Sequence, residues 1–177
     1  MKILVLLADG FEEIEAITVV DVLRRAGIEV DTVGITGAWV TGSHGIKVMA
    51  DKKISEVYIE KYEGIILPGG SKGVKNLAKS SKVKEFLEKM NEKGKLIAAI
   101  CAAPSVLAKF HVLDNKRATI YPGMEKELPY PRDERVVIDD NIITSQGPGT
   151  AMEFALAIVE KLLGREKAWE LKEQLVA

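Results

Sequence analysis

The chain opens on an unbroken apolar run, Ile3-Leu4-Val5-Leu6-Leu7-Ala8, which stops at Asp9-Gly10. A short apolar run closed by a turn pair predicts a strand covered on both faces, as in a parallel sheet. From Glu12 to Ala26, apolar residues recur at Ile14, Ile17, Val20, Val22, Leu23 and Ala26, and Gly27 follows. That stripe predicts an amphipathic helix with a glycine stop. Ile28 to Val33 reads as a second strand. A strand, helix, strand opening favours a parallel sheet with right-handed crossovers.

The alternation continues to the end of the chain. Residues 34–50 are rich in Gly, Ser and Thr around Trp39-Val40 and Ile46-Lys47-Val48, which predicts a small hairpin or irregular excursion. Asp51 is placed to cap a short helix through Tyr58. Gly64 to Leu67 predicts a buried strand ending in Pro68-Gly69-Gly70, and residues 80–93 a helix with Val83, Phe86, Leu87 and Met90 on one face. Leu96 to Ile100 predicts a strand that runs into Cys101, followed by a helix from Ala102 to Phe110 with Pro104 in its first turn. Arg117 to Ile120 reads as a further strand, residues 121–134 as an irregular loop, and Val136–Ile138 with Asn141–Thr144 as a hairpin about Asp139-Asp140. Helices from Thr150 to Leu163 and from Glu166 to Leu175 complete the pattern, with Gly164 between them. No repeat, linker or low-complexity segment interrupts residues 1–177, so one doubly wound α/β domain is expected. Its site should lie beyond the carboxyl ends of the strands. Asp9-Gly10 through Glu15, Pro68-Gly69-Gly70 and Cys101 all converge there.

Charge narrows the partners. Lys plus Arg total 25 against 26 Asp plus Glu, a net charge of -1 that gives no reason to expect nucleic acid or an anionic membrane. The aromatic residues, 6% of the chain, form no stripe with basic ones, which argues further against single-stranded nucleic acid. The single cysteine excludes an internal disulfide and suits a reducing, cytoplasmic compartment. The opening apolar run is too short for a signal peptide and is broken by Asp9, and no stretch approaches the length of a membrane span.

Chemistry concentrates at few positions. Cys101 reads either as a buried core thiol or as a nucleophile on a strand-to-helix turn. In the second case helix-terminal N–H groups would stabilise the thiolate and bring its pKa below the free value of about 8.5. Glu15 sits at the amino end of the first predicted helix beside its apolar stripe, so it reads either as a first-turn acid or as a buried partner whose carboxyl pKa is raised by desolvation. Glu12 and Glu13 read as first-turn acids favoured by the helix dipole. Gly69-Gly70 reads as a turn that could also bring a backbone N–H close to a substrate oxygen. His44 and His111 stand at no spacing that marks a nucleophile–base pair, and one cysteine with two scattered histidines offers no zinc pattern. Gly147-Pro148-Gly149 lacks the third glycine of a dinucleotide fingerprint, so no cofactor is expected.

Several segments taken in order resemble the ThiJ/PfpI superfamily, and most closely its Parkinsonism-associated deglycase branch. They are Asp9-Gly10-Phe11-Glu12-Glu13-Ile14-Glu15, Val20-Asp21-Val22-Leu23-Arg24-Arg25-Ala26-Gly27, Leu67-Pro68-Gly69-Gly70, Ala98-Ala99-Ile100-Cys101-Ala102-Ala103-Pro104, Thr144-Ser145-Gln146-Gly147-Pro148-Gly149-Thr150 and Phe154-Ala155-Leu156-Ala157-Ile158-Val159-Glu160. The resemblance implies a flavodoxin-like sandwich, a homodimer, Cys101 as the reactive cysteine, Glu15 as its hydrogen-bonding partner, and Gly70 and Ala102 as oxyanion-binding N–H groups. It further implies Tyr121, His44 and Arg25 as pocket positions. The activities it brings are cofactor-free, glyoxalase III-type conversion of small reactive aldehydes, deglycation of glycated groups, redox sensing, chaperone activity and, in another branch, cysteine proteolysis. Three departures stand out, the first being His44, which stands where the deglycase branch often carries an arginine near the dimer-side pocket. Tyr121 occupies the position of a family histidine near the cysteine, and Ala102 that of the histidine in the protease branch.

Overall fold

The computed structural model describes every residue from Met1 to Ala177. Strand β1 (Lys2–Leu7) lies inside the sheet. Its side chains alternate: Ile3, Val5 and Leu7 enter one core, and Leu4 and Leu6, followed by Ala8, enter the other. Burial on both faces explains why no polar residue interrupts the run. Helix α1 (Glu13–Arg25) leads to β2 (Glu29–Gly34), which pairs in parallel with β1 in the register Lys2 to Glu29 through Leu7 to Gly34.

Beyond β2 the polar excursion folds as the hairpin β3 (Trp39–Thr41) and β4 (Lys47–Met49), an antiparallel pair apart from the main sheet. Short β5 (Lys52–Lys53) follows. The helix expected from Asp51 to Tyr58 does not form. The Asp51 carboxylate instead accepts from the Thr32 N–H and hydroxyl and from Arg24, which fixes the chain beside β2, and only short 3-10 turns follow at Ile54–Glu56 and Ile59–Lys61.

The chain then runs through β6 (Gly64–Leu67), α2 (Ser71–Lys79), α3 (Ser81–Glu92), β7 (Leu96–Ile100) and α4 (Pro104–Lys109). It continues through β8 (Arg117–Ala118), β9 (Tyr130–Pro131), β10 (Val136–Asp139), β11 (Ile142–Ser145), α5 (Ala151–Leu163) and α6 (Arg165–Gln174). The main sheet runs β10-β11-β7-β6-β1-β2-β5, and every pairing is parallel except β10 with β11. Helices α1, α5 and α6 cover one face, and α2, α3 and α4 cover the other. This is the expected flavodoxin-like three-layer sandwich.

Three further segments differ from the sequence expectation. Helix α2 was not foreseen, because its stretch holds three lysines and only Val74 and Leu77 as large buried apolar residues. Gly73 within it also lowers helix propensity, but a side chain there would press on the backbone of Gly10 and Phe11. Helix α4 starts at Pro104 rather than Ala102, since residues 101–103 form the turn that leaves β7. The strand expected at Arg117–Ile120 ends at Ala118. There the Thr119 N–H turns to the Thr144 hydroxyl and the Tyr121 N–H to the Cys101 carbonyl, which draws this segment over the end of β7.

Candidate active site

Cys101 follows directly on β7 and takes a φ of 65°, the left-handed region that a residue with a side chain seldom adopts. Its backbone is held there from two sides: its N–H donates to the Ser145 carbonyl of β11 at 3.0 Å, and its carbonyl accepts from Tyr121 at 2.8 Å. The turn lifts the side chain out of the sheet into a partly exposed position.

Glu15 reaches the same point from the first turn of α1 and is fully buried. Two bonds join that turn to the loop after β6. The Glu12 N–H donates to the Gly69 carbonyl at 2.9 Å, and the Gly69 N–H donates to Glu15 Oε1 at 2.8 Å. Gly69 is the hinge of this arrangement. A Cβ there would stand 2.6 Å from Cys101 Cβ and 2.5 Å from Glu15 Oε1, so any side chain would push cysteine and glutamate apart. Gly70 has a φ of 97°, and a Cβ there would collide with the Gly10 carbonyl. Both glycines are therefore required for close packing of the site, a reason beyond the turn and the N–H approach that the sequence suggested.

The second carboxylate oxygen of Glu15, Oε2, is buried without a partner. Burial first of all, with the charge of Glu12 adding to it, pushes the Glu15 carboxyl up to about 7, although the Gly69 N–H and Cys101 pull the other way. The expected low thiol pKa is not found. Burial, and then the negative charge and hydrogen bond of Glu15, push Cys101 up to about 12, against the N–H groups of Ala102 and Gly70 that face its sulfur. The two groups titrate as a pair. Burial and the repulsion between their charges raise both groups, so the two do not ionise together near neutral pH and one negative charge is shared between them. With that charge on Sγ and the proton on Oε2, the orphan oxygen becomes a donor and the Gly70 and Ala102 N–H groups face an anion. With the charge on the carboxylate, Oε2 stays unsatisfied, which is costly in a buried site.

A cavity of about 510 Å³ opens above Cys101. Ser71, Val74 and Lys75 of α2 form one wall, Tyr121, Met124 and Glu127 the opposite one, and Ala102 and Ser105 complete the lining beside the cysteine. Of the pocket positions expected from resemblance, Tyr121 lines this space. His44 and Arg25 do not. Arg25 lies in the last turn of α1, at the far end of the helix from Glu15, where its Nε donates to Asp21 at 2.6 Å. His44 lies on the hairpin, with Nδ1 3.2 Å from Glu13 Oε1 and 3.3 Å from Glu12 Oε2. These three side chains bring potential metal-ligand atoms within 4.8 Å of one another. In the structure those atoms bond to one another and to Ser43, and they tie the hairpin to α1. His111 pairs with Asp114 on the surface, so neither imidazole lines the cysteine cavity.

The model of the DJ-1/PfpI family matches residues 1–161, which include the whole main sheet, Glu15 and Cys101. The chain belongs to this family. It is 46% identical to protein dj-1beta of Drosophila melanogaster, over 98% of its own length and 95% of that relative. It is 40% identical to a Caenorhabditis elegans protein named glutathione-independent glyoxalase DJR-1.2, over 93% of this chain and 89% of the relative. Superposition on the solved structure of oxidised Toxoplasma gondii DJ-1 gives a TM-score of 0.96 at 40% identity, covering 99% of this chain and 97% of that one.

Within this DJ-1/PfpI chain the sequence reading missed the wall supplied by α2 and the residues Met124, Glu127 and Ser105. The signal was present: Ser71, Val74 and Lys75 stand at the i, i+3, i+4 spacing of one helix face directly after Gly70.

Proposed function

We propose that the protein converts α-oxoaldehydes such as glyoxal and methylglyoxal to α-hydroxy acids without a cofactor, with Cys101 as nucleophile and Glu15 as proton carrier. The observation that carries this is the buried, unpartnered Oε2 of Glu15 beside a thiol held on a turn with positive φ. A carboxyl raised to about 7 is poised to give and take a proton near neutral pH. The thiolate attacks the aldehyde carbon. A carbon–sulfur bond forms, the carbonyl π pair moves to oxygen, and Glu15 supplies its proton, giving a hemithioacetal. The Gly70 and Ala102 N–H groups stabilise the oxygen while it is anionic. Glu15, now a carboxylate, removes the proton from the former aldehyde carbon while the hydroxyl proton passes to the ketone oxygen through the enediol, and Glu15 then returns its proton to the former ketone carbon. One carbon is oxidised as the other is reduced, so no external electron carrier enters. The resulting thioester is hydrolysed by water, which releases the hydroxy acid and the thiol. The relative named a glutathione-independent glyoxalase supports this reading. The same attack would open glycated groups that fit the cavity. The test is formation of lactate from methylglyoxal by purified protein, with Cys101→Ala as control. Lactate at the same rate from both would refute the proposal.

A second reading, oxidation of Cys101 as a stress signal, draws on the partial exposure of a lone thiol faced by two N–H groups. The missing imidazole in the cavity speaks against proteolysis. A chaperone role has no feature of the structure behind it. We further propose a homodimer joined through the corner of α1 and the β3–β4 hairpin. Ile14 and Ile17 of the helix and Ile46 and Met49 of the hairpin are exposed there, and Glu13 bonds to the Ile46 N–H. Sedimentation equilibrium should show a dimer that Ile17→Glu converts to monomer, and a wild-type monomer at micromolar concentration would exclude it. No helix is long and apolar enough to cross a membrane. We propose the reducing cytoplasm as the setting on the separate ground of the single, unpaired cysteine.

A further inference from the structure

The cysteine cavity is larger than methylglyoxal needs. At about 510 Å³ it falls within the range of sites that enclose small-molecule ligands, roughly 300–1,000 Å³. Its two walls carry opposite charges that the protein leaves unpaired. On α2 the sequence SKGVKNLAK holds three lysines and no acid, and Lys75 joins no ion pair. The neighbouring helix differs: Lys82, Lys84 and Lys89 of α3 each pair with a glutamate of their own helix. Glu127 on the facing wall also joins no ion pair, whereas nearby Glu125 accepts from the Gly123 N–H. The Ser71 hydroxyl, one helical turn before Lys75 on the same face, has no protein partner either. The reacting thiol thus lies between a cationic wall and an anionic wall, and the two differ in what they accept.

We propose that the cavity selects α-oxoaldehydes bearing a carboxylate at the end remote from the aldehyde, with Lys75 as the residue that determines this preference. The inference rests on the reading that Cys101 attacks an aldehyde. Lys75, with Ser71 beside it, holds the carboxylate by a charge-assisted hydrogen bond. Glu127 repels it from the opposite wall, so the two charges set one orientation of the substrate. Because the contact is remote from the reacting carbons and equal in ground and transition states, it lowers KM and leaves kcat unchanged.

The experiment compares γ,δ-dioxovalerate, an α-oxoaldehyde with a terminal carboxylate, with its methyl ester at low and high salt. The wild type should favour the acid about tenfold in kcat/KM at low salt, through KM, and the preference should shrink at high salt. Lys75→Gln should bring the ratio close to one by lowering kcat/KM for the acid far more than for the ester. Glu127→Gln should raise the preference by about twofold. Binding is read separately, without turnover, as protection of Cys101 from iodoacetamide by levulinate over methyl levulinate in the wild type, lost in Lys75→Gln. Absence of all aldehyde turnover would defeat the proposed reaction, and the protection assay would still decide the role of Lys75. Equal efficiency for acid and ester with equal protection by the two levulinates would overturn the inference. So would a Lys75→Gln variant that loses acid and ester alike.

Discussion

Glu13 and Glu15 stand two residues apart in the first turn of α1, and both are buried, yet their environments drive them in opposite directions. Burial opposes the charge on Glu13, but its own N–H, those of His44 and Ile46, and the His44 ring outweigh it and bring the carboxyl down to about 2. Glu15 has the single Gly69 N–H and a thiol as partners, and its carboxyl rises to about 7. Both are shielded from solvent, but Glu15 lies much deeper in the protein than Glu13. Depth and the number of donors meeting the carboxylate together decide its charge. One side of the turn is a lock that fastens the hairpin, and the other is a group kept short of partners beside a nucleophile.

The largest effect expected from this contrast is catalytic. Glu15→Gln keeps the shape and a donor but cannot exchange a proton, so turnover of methylglyoxal should fall about a hundredfold or more. The same variant should gain stability. The folded carboxyl lies near 7 against about 4.3 unfolded, so the contribution of Glu15 is fully present below about pH 4.3 and is lost as pH rises through 7. Thermal melts should show Glu15→Gln ahead by about 2–3 kcal/mol at pH 8 and level with the wild type near pH 4. An equal gain at both values would show that Glu15 is charged throughout and would remove it as a proton carrier.

Glu13→Gln should do the reverse and cost about 2 kcal/mol at pH 7, the scale of lost hydrogen bonds to a charged group. The sign follows from the depressed carboxyl: its stabilisation is present above about pH 4.3 and disappears as pH falls through 2. Denaturant melts between pH 7 and 2 should show the two proteins converging at the acid end. A constant gap would mean that packing, and not charge, makes the lock. Turnover should change little, which separates the two sides of the turn.

The smallest effect concerns the thiol's backbone. Its positive φ costs about 1–2 kcal/mol for a residue with a Cβ and nothing for glycine on steric grounds. Cys101→Gly should therefore be more stable than Cys101→Ala by about 1 kcal/mol in urea unfolding. The reverse order would show that the turn stores no strain for the nucleophile.

The framework of strands and long helices was legible because each long element carries one period. The doubly buried run at β1 and the stripe of α1 admit few alternatives. The convergence of Glu15, Gly69-Gly70 and Cys101 followed from the rule that such sheets carry sites beyond their strand ends. What was not legible depends on side chains that meet across the fold. The capture of Asp51 by Thr32 and Arg24 abolished an expected helix start, and nothing in the spacing of those residues marks the contact. The diversion of Arg25 to Asp21 was available as an i, i+4 pair, but the resemblance pointed elsewhere. The rise of the thiol pKa could not be read from the helix-start argument, which counts N–H groups and not the charge that Glu15 sets against them.

The order of the main sheet leaves it with two lateral edges, β5 and β10. The first is a two-residue strand made of Lys52 and Lys53, too short and too charged to template another strand. Beside the second lies β8, whose Arg117 N–H bonds to the Asp139 carboxylate of β10 at 2.8 Å. On β2 beyond that short pair, the Asp51 carboxylate meets the Thr32 N–H and Arg24 meets the Val30 carbonyl. Backbone-mediated growth, the route by which sheets join into extended aggregates, therefore finds fewer footholds on the folded molecule than two bare edges would offer.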